Sequence, residues 1–477
     1  MIKCFRIPFL IIILGLFVCY QCTNEKIIPI TTPSEKAKTL YLDAMRSFCG
    51  FNTSNFLRLT HDAIKEDPGF FMANYQLAMY FIPMGYNNSE FRKYAEIAVN
   101  SKAKLSKGEL LLKECMSNLI KKRQHNVIIT TSKPVNIAQG VINNGLIENF
   151  PEVTNNAKRL VNMYPDDINA YFQLFAFQEL FNDLEGQVVT LNTALKITKE
   201  PAFYYWKLGY AYMYLEKYSE ALIAFDKYIE YAPDNPNFYY SKGDYYMKIK
   251  DFKDAYESYM KAYELDSLWS HEKAKNAKEL WLTTIVDIDR NAYKIVKIGN
   301  QIWTNRNLDV EHYRNGDTIP QVKDPSDWGK METGAWCYYD NDPRNGEVYG
   351  KLYNWYAVND PRGLTPSGTH IPSDKEWTVL TTFLGGLKVA GWELKSRKGL
   401  YDPKNDIDNV VFKGLPGGHR LQNGRFDPAG YYYCWWSSTE FSTEDALCRF
   451  IFDPGQYVEE TVYSKGSGMS VRCIKDK

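Results

Sequence analysis

The sequence carries no excess of charge: 57 Lys and Arg residues balance 57 Asp and Glu over 477 residues. An even balance argues against the broad electrostatic footprint of a nucleic-acid binder or of a protein that coats anionic lipid. Protein and glycan remain as partner classes. Histidine is scarce, at 6 residues, and without clustered imidazoles the cysteine spacing does not suit a zinc site. Long hydrophobic runs are also missing, apart from one near the start. Ile7 to Val18 is almost unbroken and apolar, follows Lys3 and Arg6, and is too short to cross a bilayer.

That opening has the layout of an export signal. Polar residues begin directly after Cys22, so residues 1–22 are expected to be a lipoprotein-type signal peptide with Cys22 as the lipid attachment site. Cys19 competes with it, as do secretion without a lipid and an uncleaved anchor. Tyr20 and Gln21 stand where such signals prefer small residues. The expected address is the cell envelope, anchored by lipid at the outer membrane on its periplasmic or surface face. Residues 23–38 read as a linker.

What is present in quantity is ordinary globular material, 45% hydrophobic and 24% charged, enough for about three units. Residues 39–284 read as helix after helix with a 34-residue period. Tyr205, Gly209, Tyr212, Tyr218, Ala221, Phe225 and Pro233 stand where tetratricopeptide repeats place their signature residues. One period on, Gly243, Tyr246, Phe252, Ala255, Tyr259 and Ala262 repeat the pattern. A weaker copy includes Tyr171, Leu174, Leu191 and Ala194, and Asp67-Pro68 with Leu77-Ala78 suggests a divergent one. This stretch resembles a tetratricopeptide-like all-α solenoid. The resemblance puts Phe203, Trp206, Tyr210 and Met213, then Asn237, Tyr240, Asp244 and Met247, on the inner face. Two readings stand: a groove for a protein partner, with Phe203, Trp206, Tyr210, Met213, Tyr240 and Asp244 as its binding residues, or a face packed on the chain's own helices.

After residue 284 the texture changes: eight of eleven tryptophans and twenty of thirty glycines lie there, as in a loop-rich, aromatic-packed domain. Gly299-Asn300 between β-formers predicts a hairpin over 293–303. Ser373-Asp-Lys-Glu376 is a capping box. It predicts a helix with Trp377, Leu380 and Leu384 on one face and Gly385-Gly386 as its stop. Met469, Val471 and Cys473 alternate with Ser470 and Arg472 like a closing strand, which would bring both ends of the domain together.

Tyr349–Trp355 (YGKLYNW), the series from Gly368 to Trp377, LPGG at 415–418, WWSSTE at 435–440 and SVRC at 470–473 together resemble the Fibrobacter-type major paralogous (FISUMP) domain, over residues 285–477. The resemblance implies an α+β fold similar to C-type lectin and formylglycine-generating-enzyme folds, and no known reaction. Those enzymes use two closely spaced cysteines, whereas Cys434 and Cys448 lie fourteen apart. Bridging of Cys434 to Cys448 and two buried free thiols are both compatible with their place around a polar turn.

Other constellations have plain explanations. His370, Ser373 and Asp374 suggest a triad, but capping accounts for Ser373. The acidic loops Asp340–Glu347 and Asp402–Asn409 supply oxygens suited to calcium, though turn chemistry explains them without a metal. Tyr431 to Tyr433, Trp435, Trp436, Trp392 and Trp355 would furnish a glycan platform or a core. The reading is therefore a multidomain protein without catalytic residues, metal or cofactor. Its solenoid binds a protein partner and its lectin-like domain presents a recognition surface, with a glycan as ligand in the alternative reading.

Overall fold

The computed structural model describes residues 26–50, 52–82, 88–121, 151–268, 270–396 and 411–476. The export signal, Cys22 and the acidic loop at 402–409 lie outside them. Two compact units emerge: Met1–Tyr245 with Lys261–Trp269, and Tyr246–Met260 with Ser270–Lys477.

The first unit is built from antiparallel helix pairs. They are α1 (Glu35–Cys49), α2 (Thr53–Glu66), α3 (Phe71–Phe81), α4 (Ser89–Val99), α5 (Lys107–Lys121), α6 (Pro151–Met163), α7 (Ile168–Leu180), α8 (Leu184–Ala194), α9 (Ala202–Tyr214), α10 (Tyr218–Tyr231) and most of α11 (Pro236–Lys248). Polar side chains start most of these helices. Ser34, Asn52, Asn88, Asp167 and Asp183 each accept an amide hydrogen bond from the first turn, satisfying donors that the helix leaves orphaned. The small residues let helices close up: a Cβ at Gly209 would come within 2.6 Å of the Phe225 ring.

Two helices depart from the amphipathic pattern of a surface helix. Every residue from Phe71 to Ala78 in α3 is buried, and α7 is buried on nearly every side. A helix apolar all round must have neighbours all round. One of those neighbours is α1. Its Tyr41 ring meets Phe70, while Phe48 lies 5.7 Å from Phe172 and 6.0 Å from Phe203.

The stretch expected to be a linker over 23–38 differs. Helix α1 begins at Glu35, and residues 26–34 are tied down. The Ile28 amide donates to Asp167 at 2.7 Å, and Thr31 donates from its amide and its hydroxyl to the fully buried Glu109 at 2.8 and 2.5 Å. Two carboxylates removed from water need such donors, and the extended segment provides them.

The second unit contains the front of α12 (Phe252–Leu265), α13 (His271–Thr283) and, among the described residues, all the strands. Trp281 stacks on Tyr256 at 6.1 Å, and α13 packs on β1 (Thr284–Val286) and β2 (Ala292–Ile298). The expected boundary at 284 and 285 therefore falls inside this unit. The predicted hairpin is present as β2 and β3 (Gln301–Thr304), with Gly299 at φ +59°.

The main sheet runs β1-β2-β3-β12-β6, where β12 is Ile474–Lys475 and β6 is Thr369–His370. Ile474 pairs with both Trp303 and His370, so the two ends of the domain meet. The chain before β12 is not a long regular strand. It runs as isolated pairings and single backbone hydrogen bonds, such as Leu308 N donating to Val471 O at 2.9 Å. A second sheet, β11-β10-β9, comprises Glu459–Ser464, Asp445–Phe452 and Tyr432–Glu440, and two short pairs join β4 (Trp336–Cys337) to β5 (Leu352–Tyr353) and β7 (His419–Arg420) to β8 (Phe426–Asp427).

Candidate functional site

On the solenoid, the six residues expected to line a groove are not equivalent. Phe203, Trp206, Tyr210, Met213 and Tyr240 are buried; Asp244 is half-buried. Phe203 sits among Phe48, Phe172, Phe175 and Trp206, so at Phe203 the reading of packing on the chain's own helices describes the face. Further along, the face carries polar groups over an aromatic floor. The Lys207 ammonium lies 4.5 Å from the Trp206 ring and 2.5 Å from Glu179. The Tyr210 hydroxyl donates to Asp244 at 3.0 Å, and the Trp206 indole to Ser241 at 3.0 Å. Burial, with Asp244 beside it, pushes the Tyr210 phenol well above its ordinary pKa, so it remains a donor. Glu179, Lys207, Tyr214 and Asp244 keep partial solvent contact. Glu179 and Lys207 had no motif to mark them; their position one turn from the aromatic series was the available signal.

In the second unit the capping box forms as expected. The Ser373 hydroxyl meets the Glu376 amide, and the Ser373 amide donates to the Glu376 carboxylate at 2.9 Å. His370 is held by Asp476 at 2.6 Å and Glu376 at 2.9 Å, while Asp374 pairs with Arg449 at 2.6 Å. Ser373 and His370 thus share Glu376 as a partner while Asp374 turns to Arg449, so these bonds do not link the three as a triad.

The thiols are equally unlike a reactive centre. Cys337, Cys434, Cys448 and Cys473 are free and buried. Burial pushes Cys337, Cys448 and Cys473 up to about 12, and it holds Cys434 well above the ordinary thiol value. Cys434 pairs with Phe450 and Cys448 with Trp436 across β9 and β10. His419 Nδ1 lies 3.7 Å from the Cys434 sulfur, and burial lowers the His419 pKa, leaving a neutral ring. A thiol kept protonated is a poor nucleophile.

Adjacent strand residues point to opposite faces, and Trp435 and Trp436 enter two different cores. Trp355 and Tyr433 are also buried, whereas Trp392 and Tyr431 are 45% and 56% exposed. In the first acidic loop, Asp342 caps the helix at Pro343–Tyr349 and pairs with Arg344, and Asn345 donates to the Tyr339 carbonyl. These are turn and capping duties.

The architecture is that of a helical-repeat protein with a strand-rich C-terminal region. Residues 202–235 and 236–267 match tetratricopeptide repeat models, and residues 296–475 match the Fibrobacter succinogenes major domain. The chain thus joins tetratricopeptide repeats to that domain. Among solved structures, MamA is similar at 16% identity and TM-score 0.25, covering 49% of this chain and 96% of that one. YrrB, described as a TPR protein with an unusual peptide-binding site, is similar at 14% identity and TM-score 0.28, covering 46% and 98%. Scores this low add nothing beyond the repeats. No curated protein matches the chain.

Proposed function

We propose that this is an exported, non-enzymatic interaction protein whose repeats hold a protein partner and whose C-terminal domain presents a second recognition surface. The observation that carries the reading is the half-exposed row Glu179, Lys207, Tyr214 and Asp244 above Trp206 and Tyr210. An aromatic floor with satisfied polar groups at its rim is the usual makeup of a peptide-binding surface. The protonated thiols favour recognition over reaction. The lectin-like relationship rests on the family resemblance, and the envelope address on the N-terminal signal and Cys22.

The test is co-purification from membranes of cells making the full chain. A partner of the row should lose about tenfold or more in recovery with Lys207→Glu plus Asp244→Lys; unchanged recovery contradicts the reading. Labelled fatty acid should enter the wild type and not Cys22→Ser, and label in both excludes Cys22 as the site. A glycan reading keeps one specific support, exposed Trp392 and Tyr431. It requires glycan binding by the full chain that disappears in Trp392→Ala and Tyr431→Ala.

A further inference from the structure

The aromatic part of the solenoid's inner face is taken by a segment of the same chain. Helix α1 presents Tyr41, Ala44, Met45 and Phe48 to the body; the first three are buried and Phe48 is partly so. Their spacing, i, i+3, i+4 and i+7, is that of an amphipathic helix laid in a groove. Phe48 makes the inward contact, edge to face with Phe172 at 89° and tilted against Phe203. The Cys49 thiol lies near enough to Tyr204 to raise its pKa in addition to burial. The row proposed above begins one turn beyond Phe203, at Trp206 and Lys207.

We infer that α1 is an internal occupant of this face, and that its release opens the face to an amphipathic helix with apolar side chains at the same four spacings. The inference rests on the proposed partner-binding role of the repeats. Several features make α1 the element to move. Beside its contact with α2, where Phe48 meets Phe56 at 5.0 Å, it contributes Ala37, Tyr41, Ala44 and Met45 to the interior. Two of them are alanines, and they are no more residues than α2 or α4 buries, whereas α3 buries an unbroken run of eight residues. An element with fewer buried apolar groups opens at lower free energy. It is followed by Gly50, which ends the helix at φ −85° and ψ 12°, a natural place for the chain to turn away. The fixed strap before it, from Ile28 to Thr31, keeps the released helix close to its site, so that reclosure remains intramolecular.

The groups facing α1 also say what an incoming helix must carry. Phe172, Phe203 and Phe70 accept aromatic edges. Acidic groups stand beside Tyr41, where Asp167 and Glu109 raise its pKa in addition to burial. A helix with tyrosine at the first anchor and phenylalanine at the fourth therefore fits, and a carboxylate at the first anchor does not.

The test uses full-length chain and a labelled synthetic peptide of residues 35–49 with serine in place of the cysteine. Tyr41→Ala plus Phe48→Ala should bind the peptide at least about tenfold more tightly than the wild type, because a site populated only when α1 is out has its affinity reduced by that fraction. Adding Phe203→Ala should abolish the gain. Equal affinity in the wild type and a folded double variant overturns the inference. Native-state hydrogen exchange of the wild type gives a second readout that needs no variant. Amides of 35–49 should exchange through a partial opening, faster than those of 202–214; exchange of both only by global unfolding overturns the inference. That outcome, with partner recovery still sensitive to Lys207 and Asp244, leaves the proposed function intact and rejects only the release of α1.

Discussion

Arg472 carries its guanidinium into a fully buried place without a carboxylate. It is held by Asn307 Oδ1 at 2.7 Å and by the carbonyls of Thr304, Phe412 and Lys413 at 2.8, 2.8 and 3.1 Å. Burial lowers its pKa to about 9. A planar fork with five donors can reach four acceptors in different directions; an ammonium cannot. Arg472→Lys should therefore cost more than about 2 kcal/mol of stability in denaturant titration, from acceptors left unsatisfied. Nothing in SVRC as a sequence announces this, because an arginine between two apolar residues reads as a strand's solvent face. The carbonyl ring that holds it exists only once residues far apart in sequence have met.

His370 behaves differently. Partial burial acts to lower its pKa, but hydrogen bonds to Asp476 and Glu376 outweigh burial and the pKa is raised. A raised folded-state pKa stabilises the fold fully below the unfolded value, about 6.5, and the contribution disappears as pH rises through the folded value. Glu376, lowered by Ser373 and His370 against a burial effect that raises it, sets the acid limit of the same window. The melting-temperature gap between wild type and His370→Gln should be widest near pH 6 and narrow toward pH 8. A gap that widens with pH contradicts the assignment.

At the scale of elements, the helices from 202 to 265 were legible because glycine and alanine recur at a fixed period against large aromatics. Gly209 bears this out physically. Gly209→Ala would press a methyl into the buried Phe225 ring, and the expected cost is about 1–3 kcal/mol by overpacking; a neutral or stabilising result in calorimetry contradicts the close contact. Earlier helices were harder to place, since α3 and α7 are buried on most sides and lose the one-sided pattern from which a helix is read. The hairpin turn at Gly299 and the capping box at Ser373 were legible because their determinants are local. The hold on residues 28–31 was not, because Glu109 and Asp167 are reached only through the fold. The sheet order β1-β2-β3-β12-β6 was hidden for the same reason, although the meeting of the domain's ends was foreseen from the pattern of the last residues.

For the molecule as a whole, the division into two units places residues 246–260 and α13 with the strand-rich part. Trp281→Ala, which removes the stack on Tyr256, should cost about 1 kcal/mol and raise hydrogen exchange in 252–260 and 292–298. Exchange in 168–194 should be unchanged, and a rise there contradicts the division. The account's central claim is recognition by the inner face of the repeats. A photo-crosslinking residue placed in turn at Glu179, Lys207 and Tyr214, and at the outward-facing Val189 and Ile223, which are 68% and 63% exposed, tests it most directly in intact cells. The account predicts one protein partner crosslinked from the first three positions and not from the last two; the same adducts from all five, or from the outer two alone, would contradict it.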